Sequence, residues 1–149
     1  MKILDEKTIC QVSLVVEDLA ATIKEYAHLF DVPIPQIWRV PPEERAHTRF
    51  KGVATATRAK LAVFDLGSLV LEITEPDDQP SSWRDFLLTH GNGVHHIAFM
   101  TDKRESVVQY FEEHGMPVRH YGEYEGGNYT VFESLQKLGV FIQVKEETP

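Results

Sequence analysis

QVSLVVEDLAATIKEYAHLFDVP (residues 11–33) and HIAFMTDKRESVVQYFEEHGMP (residues 96–117) decide the fold. Each runs from an apolar strand through an Asp into an amphipathic helix, and then into a turn and a Pro. Gln11 aligns with His96, an offset of 85 (96 − 11). Asp18, Tyr26 and Pro33 align with Asp102, Tyr110 and Pro117 at an offset of 84, so the second copy lacks one residue in its strand-to-helix turn. The halves that follow also match. Leu66-Gly67-Ser68-Leu69-Val70-Leu71-Glu72 is answered by Leu138-Gly139-Val140-Phe141-Ile142-Gln143. Glu75 and Glu146 stand at equal distances beyond Glu72 and Gln143. Internal self-similarity of this kind points to a repeated supersecondary unit.

The helices carry their own signals. Asp18 is placed to cap the first, whose Ile23, Tyr26, Ala27 and Phe30 form one apolar stripe. Asp102, with Glu105 three residues on, is placed to cap the second, and Gly115 to end it. A shorter helix near Trp83–His90, capped by Ser82 and stopped by Gly91, reads as a connector. Strands are expected at 8–16, about 48–55, 59–65, 68–75, 94–101, about 117–121, 128–134 and 138–145. Residues 34–47, rich in Pro and charge, read as a long mobile loop of the sort that covers a binding site. The chain is therefore read as one α+β domain over residues 1–149. It comprises a module at 8–76, a connector helix at 81–92 and a module at 94–146.

The chain has 149 residues, 42% hydrophobic and 26% charged, with a net charge of −8. That is enough apolar material for a core. No basic patch of the kind nucleic acids require is present. A single cysteine, Cys10, offers neither an internal disulfide nor a paired-cysteine metal motif, and is read as inert in the core. No stretch approaches a membrane span and the first residues lack a signal-peptide shape, so a cytoplasmic protein is expected.

Side chains alternate between the two faces of a strand. One face of each central strand is apolar and should pack under the helices. The other face presents Gln11, Glu72, His96 and Gln143, one from each of four strands. His95 is assigned to the helix-packed face with Ile97 and Phe99. Arg45, His47, Arg49 and Lys51 flank the long loop, where Arg49 is a candidate for an anionic substrate against the plainer reading of a solvated charge run. Tyr129 and Glu123 lie in a glycine-containing hairpin and can reach the cleft. Trp38 and Trp83 read as core or interface.

The segments Gln11 to Leu19, Leu71 to Pro76, Gly93-Val94-His95-His96-Ile97-Ala98-Phe99 and Leu138 to Gln143 resemble the vicinal oxygen chelate superfamily. That superfamily includes glyoxalase I (lactoylglutathione lyase), methylmalonyl-CoA epimerases, extradiol dioxygenases and bleomycin-resistance proteins. The resemblance spans about residues 8–146. It implies two βαβββ modules that form a curved mixed sheet around a cleft, and often a homodimer. It implies a divalent metal (nickel, cobalt, zinc, manganese or iron) held at Gln11, Glu72, His96 and Gln143. It also implies a small-molecule substrate that loses a proton next to a carbonyl through an enediolate, with Glu72 as the base. The family's fourth ligand is usually Glu, and here it is Gln143. An amide cannot take that proton at neutral pH. Two further readings follow: a metal-free binding protein of the bleomycin-resistance type and, last, an extradiol dioxygenase, whose iron site wants a His where Gln11 stands.

Overall fold

The computed structural model describes residues 2–149. In chain order the strands are β1 (Gln11–Val15), β2 (Trp38–Arg39), β3 (Arg49–Phe50), β4 (Val53–Ala54), β5 (Lys60–Asp65), β6 (Val70–Glu75), β7 (Gly93–Met100), β8 (Val118–Tyr124), β9 (Gly127–Phe132) and β10 (Phe141–Glu147). The helices are α1 (Leu19–Phe30), α2 (Glu43–Ala46), α3 (Ser82–His90), α4 (Arg104–Glu113) and α5 (Leu135–Leu138). Among the described residues no helix is long and apolar enough to cross a membrane.

All strands join one sheet in the order β2-β5-β6-β1-β7-β10-β9-β8-β3-β4. The order β2-β5-β6-β1 in the first half is repeated by β8-β9-β10-β7 in the second. The halves meet where β1 and β7 run antiparallel. Register makes the repeat explicit. In the parallel pair β1–β6, Ser13 lies opposite Glu72, and in the parallel pair β7–β10, Ala98 lies opposite Gln143. Gln11 and His96 are thus equivalent, as are Glu72 and Gln143. The two far glutamates also act alike. Glu75 Oε1 accepts the Leu19 N–H at 3.0 Å and Glu146 Oε2 accepts the Arg104 N–H at 3.3 Å, so each satisfies the opening turn of its half's helix.

Three apolar clusters hold the layers. α1 covers β5 and β6 through Leu19, Ile23, Ala27, Phe64 and Ile73. α4 covers the second half through Val107, Phe111, Phe132, Ile142 and Val144. On the inner face, α3 packs over β1 and β7, and Trp83 and Phe86 join Val15, Val40, Val131 and Phe141.

Several expectations are corrected. The 34–47 segment contains β2 and α2, and the expected strand 48–55 is a hairpin, β3–β4. That hairpin pairs with β8 of the other half, while β2 pairs with β5. β2 and this hairpin therefore form the two outer edges of the sheet, where strands only two residues long leave little unpaired backbone exposed. Lys51 and Gly52 both have positive φ, 52° and 78°, as a tight two-residue hairpin turn requires. The last strand starts at Phe141, because residues 135–138 form α5. The strand expected at 117–121 runs on to Tyr124 and turns directly into β9.

Two helix caps also differ. Asp102 does not cap α4; Lys103 holds that position without a side-chain bond. Ser81, not Ser82, caps α3, accepting the Arg84 N–H at 3.0 Å. Cys10 is only half-buried and its thiol donates to the Ala98 carbonyl at 3.3 Å, so it is not a core residue.

Candidate functional site

A cleft of about 290 Å³ opens on the inner face. Gln11, Glu72 and Gln143 line it, with Tyr129, Trp83, Glu123 and Tyr124 around them. Val40 and Pro41 of the 34–47 segment close one side, and Arg39 and Lys145 bring cations to the wall. Strand pairing explains the gathering. Glu72 and His96 both lie opposite Ser13 from its two sides, and Gln11 and Gln143 both lie opposite Ala98 one step along. Neighbouring strands are about 4.8 Å apart, so the four side chains rise from one small patch.

Their environments differ. Glu72 is half-buried, and its Oε1 accepts the Ser13 hydroxyl at 3.0 Å. Gln11 and Gln143 are buried, and neither side-chain amide makes a hydrogen bond among the described residues. His96 is 1% exposed and lies behind the lining, and its Nε2 has no partner among the described residues. Burial, then the Lys145 charge and the neighbouring His120 ring, holds its pKa down at about 3. Tyr129 has its hydroxyl 3.4 Å from His120 Nε2, and burial, then the Glu72 charge, pushes it above the ordinary phenol range.

His95 departs from its expected face. β7 bulges at this point: His96 faces Ser13, but the next paired residue is Val94, facing Leu14. The extra residue breaks the alternation. His95 therefore leaves Ile97 and Phe99 and turns inward under α3. Its Nδ1 lies 2.7 Å from His96 Nδ1, and its Nε2 lies 2.8 Å from Ser82 Oγ. Ser82 Oγ also accepts the Arg119 Nε–H at 2.7 Å. Arg119, itself buried, pairs with Asp85 at 2.7 Å and Glu133 at 3.0 Å. The Ser82 backbone N–H donates to His120 Nδ1 at 3.2 Å. Burial holds both of these further rings neutral, with His120 down at about 3 and His95 well below the usual range.

Of the substrate candidates, Tyr129 and Glu123 line the cleft, Glu123 also accepting the Tyr121 hydroxyl at 3.0 Å. Arg49 does not line it; its guanidinium is taken up by Glu43 at 2.8 Å and the Thr48 carbonyl at 3.0 Å. Trp38 stands half-exposed on the outer edge strand, whereas Trp83 is in the core beneath the cleft. Sequence reasoning passed over Arg39 and Lys145. Lys145 was legible, lying two residues beyond Gln143 on the same strand face. Arg39 was not, because its position depends on β2 joining the sheet.

Residues 10–132 match the family described as the Glyoxalase/Bleomycin resistance protein/Dioxygenase superfamily. The chain belongs to that superfamily. Among solved structures it is similar to methylmalonyl-CoA epimerase from Mycobacterium tuberculosis, at 16% identity and a TM-score of 0.65 over 100% of this chain and 93% of that one. It is similar to Streptomyces coelicolor methylmalonyl-CoA epimerase in complex with 2-nitronate-propionyl-CoA, at 21% identity and a TM-score of 0.61 over 95% of this chain and 98% of that one. It is also similar to a hypothetical protein from Bacillus halodurans, at 16% identity and a TM-score of 0.65 over 95% and 94%. At these identities the likeness is one of fold. No curated protein matches the chain.

Members of this superfamily often use a divalent metal. The donors here do not fit one. The patch offers one carboxylate, one imidazole and two neutral amides, and no three His, Cys, Asp or Glu side chains gather anywhere among the described residues. The carboxylate already accepts from Ser13, and the Lys145 ammonium stands on the same wall. Having only one anionic donor and a cation beside it both weaken the hold on a divalent ion.

Proposed function

We propose that this protein moves a proton on the carbon next to a carbonyl of a small acyl compound, an isomerase- or lyase-type activity, with Glu72 as the base. The observation that carries the reading is the half-buried Glu72 carboxylate on the wall of an otherwise mostly apolar cleft, with one oxygen steadied by Ser13 and the other without a hydrogen bond among the described residues. Glu72 takes the proton, and the electron pair of the C–H bond moves onto the carbonyl oxygen as an enolate. Return of a proton to the same face of that carbon restores the substrate, and delivery to the opposite face epimerises it. The chain's own donors serve the enolate: the Tyr129 hydroxyl and the Trp83 indole N–H, which is buried without a partner among the described residues. Such fixed donors stabilise the developing charge. Arg39 and Lys145 suit an anionic group on the substrate. The epimerase neighbours support acyl thioesters as the class to try first. A homodimer belongs to the same proposal, supported by the exposed Ile34, Ile37 and Trp38, and light scattering reads it.

The test is exchange of the substrate's α-hydrogen for deuterium, followed by mass spectrometry with methylmalonyl-CoA, propionyl-CoA and a glyoxal thiohemiacetal. Exchange that needs the protein and Glu72 supports the reading; none with any of the three opposes it. A second reading, metal-free binding without chemistry, is favoured by Gln143, an amide where catalytic members usually carry a carboxylate. Stabilisation of the protein by a ligand that undergoes no exchange would favour it.

A further inference from the structure

We propose that a hydrogen-bond relay running from Arg119 through Ser82 and His95 fixes His96 as an Nε2–H donor, so that its position takes a carbonyl or carboxylate oxygen of a small organic ligand and not a divalent cation. Arg119 Nε always carries hydrogen and donates to Ser82 Oγ at 2.7 Å. Ser82 then has one proton of its own, and among the described residues the only acceptor within reach is His95 Nε2 at 2.8 Å. His95 Nε2 must therefore offer its lone pair, which leaves the ring's proton on Nδ1. That Nδ1 lies 2.7 Å from His96 Nδ1. Two N–H groups cannot face each other at that distance, nor two lone pairs, so His95 donates and His96 accepts. The proton of His96 is thereby placed on Nε2, the buried atom without a partner.

The opposite direction is worse for one reason. It would leave the fully buried Ser82 hydroxyl with two donors and no acceptor for its own proton. A buried unmade hydrogen bond of that kind biases the tautomers by about tenfold or more. A metal-binding imidazole needs the reverse: a lone pair on the outward nitrogen and a donor at the other, usually aimed at a carboxylate or carbonyl. Here the other nitrogen is an acceptor.

Ser82 serves a second relay with its backbone. Its N–H donates to His120 Nδ1 at 3.2 Å, so the His120 proton is on Nε2 and points at the Tyr129 oxygen 3.4 Å away. The Tyr129 hydroxyl proton is left to face the cleft. One residue of α3 thus sets the proton on both rings, and Ser82 and His95 are positioning residues. This also explains why Ser82 does not cap its helix: its hydroxyl is committed inward.

The experiment is nitrogen-15 NMR of the histidine rings in the full-length protein, which reads the tautomer without turnover. The expected result is His96 protonated on Nε2 and His95 on Nδ1. Ser82→Ala should lower the His96 tautomer ratio about tenfold or more, and Ser82→Thr, which keeps the hydroxyl, should restore it. Sodium malonate should shift the His96 Nε2–H resonance, and equimolar zinc chloride should leave that proton in place. A His96 ring protonated on Nδ1 in the wild type, loss of the Nε2 proton to equimolar zinc, or no response to malonate would overturn the proposal. The choice of ligand rests on the proposed function, but the tautomer does not. The expected tautomer without any α-proton exchange would refute that function and leave the relay standing.

Discussion

Lowering the pH from 7.5 to 5 should cost this protein much of its stability, through three rings alone. His95, His96 and His120 are all fully buried, and burial depresses all three pKa values, the latter two to about 3. In the unfolded chain each returns to about 6.5. A histidine with a depressed folded pKa stabilises the native state fully above its unfolded value, and that stability is lost as the pH falls toward the folded value. Between about pH 6.5 and 3 the unfolded state takes up protons that the folded state refuses. At pH 5 the difference is about 2 kcal/mol for each of His96 and His120, or about 4 kcal/mol for the two, and His95 adds in the same direction. Domains of this size are stable by about 5–15 kcal/mol, so the loss decides whether the protein stays folded. Most carboxylates stay ionised across this interval, so the histidines are read almost alone. The assay is urea unfolding followed by circular dichroism at pH 7.5, 6 and 5. The midpoint should fall by about 2 M or more, with an unchanged slope. A midpoint that is flat from pH 7.5 to 5 would refute the claim that these rings are buried neutral.

Two further outcomes follow from close contacts. Gly122→Ala would set a methyl carbon 2.3 Å from the Tyr129 hydroxyl and 2.5 Å from its ring, so the phenol must leave its place on the cleft wall. The variant should lose about 1–3 kcal/mol in chemical unfolding and bind acyl ligands more weakly by calorimetry. Arg119→Met removes a buried guanidinium that serves Ser82, Asp85 and Glu133 and lies 4.4 Å over the Phe141 ring. Both carboxylates retain contact with water, which trims the cost to about 2–3 kcal/mol, or about 5–10 °C in melting temperature by scanning calorimetry.

Much of this architecture was legible because it repeats. The pairing of Gln11 with His96 and of Glu72 with Gln143, read from an offset in the sequence, reappears as strand register. What escaped was whatever depends on distant partners. The inward turn of His95 comes from a bulge, and strict alternation cannot foresee one. The hydroxyl of Ser82 looked like a cap because the sequence holds two serines at that helix start; which one faces inward depends on Arg119, 37 residues away along the chain. The 34–47 segment looked like a loop because its one strand is two residues long and its partner, β5, follows only after the β3–β4 hairpin. Arg39 and Lys145 give the cleft its cations, and only Lys145 was within reach of a periodicity argument.

The most direct measurement of the central claim is deuterium incorporation at the α-carbon of a 2-branched acyl thioester, comparing the purified protein with its Glu72→Gln variant and confirming that both are folded. The account predicts exchange in the first and a fall of about a hundredfold or more in the second, the usual worth of a positioned general base. Equal exchange by both proteins would contradict it.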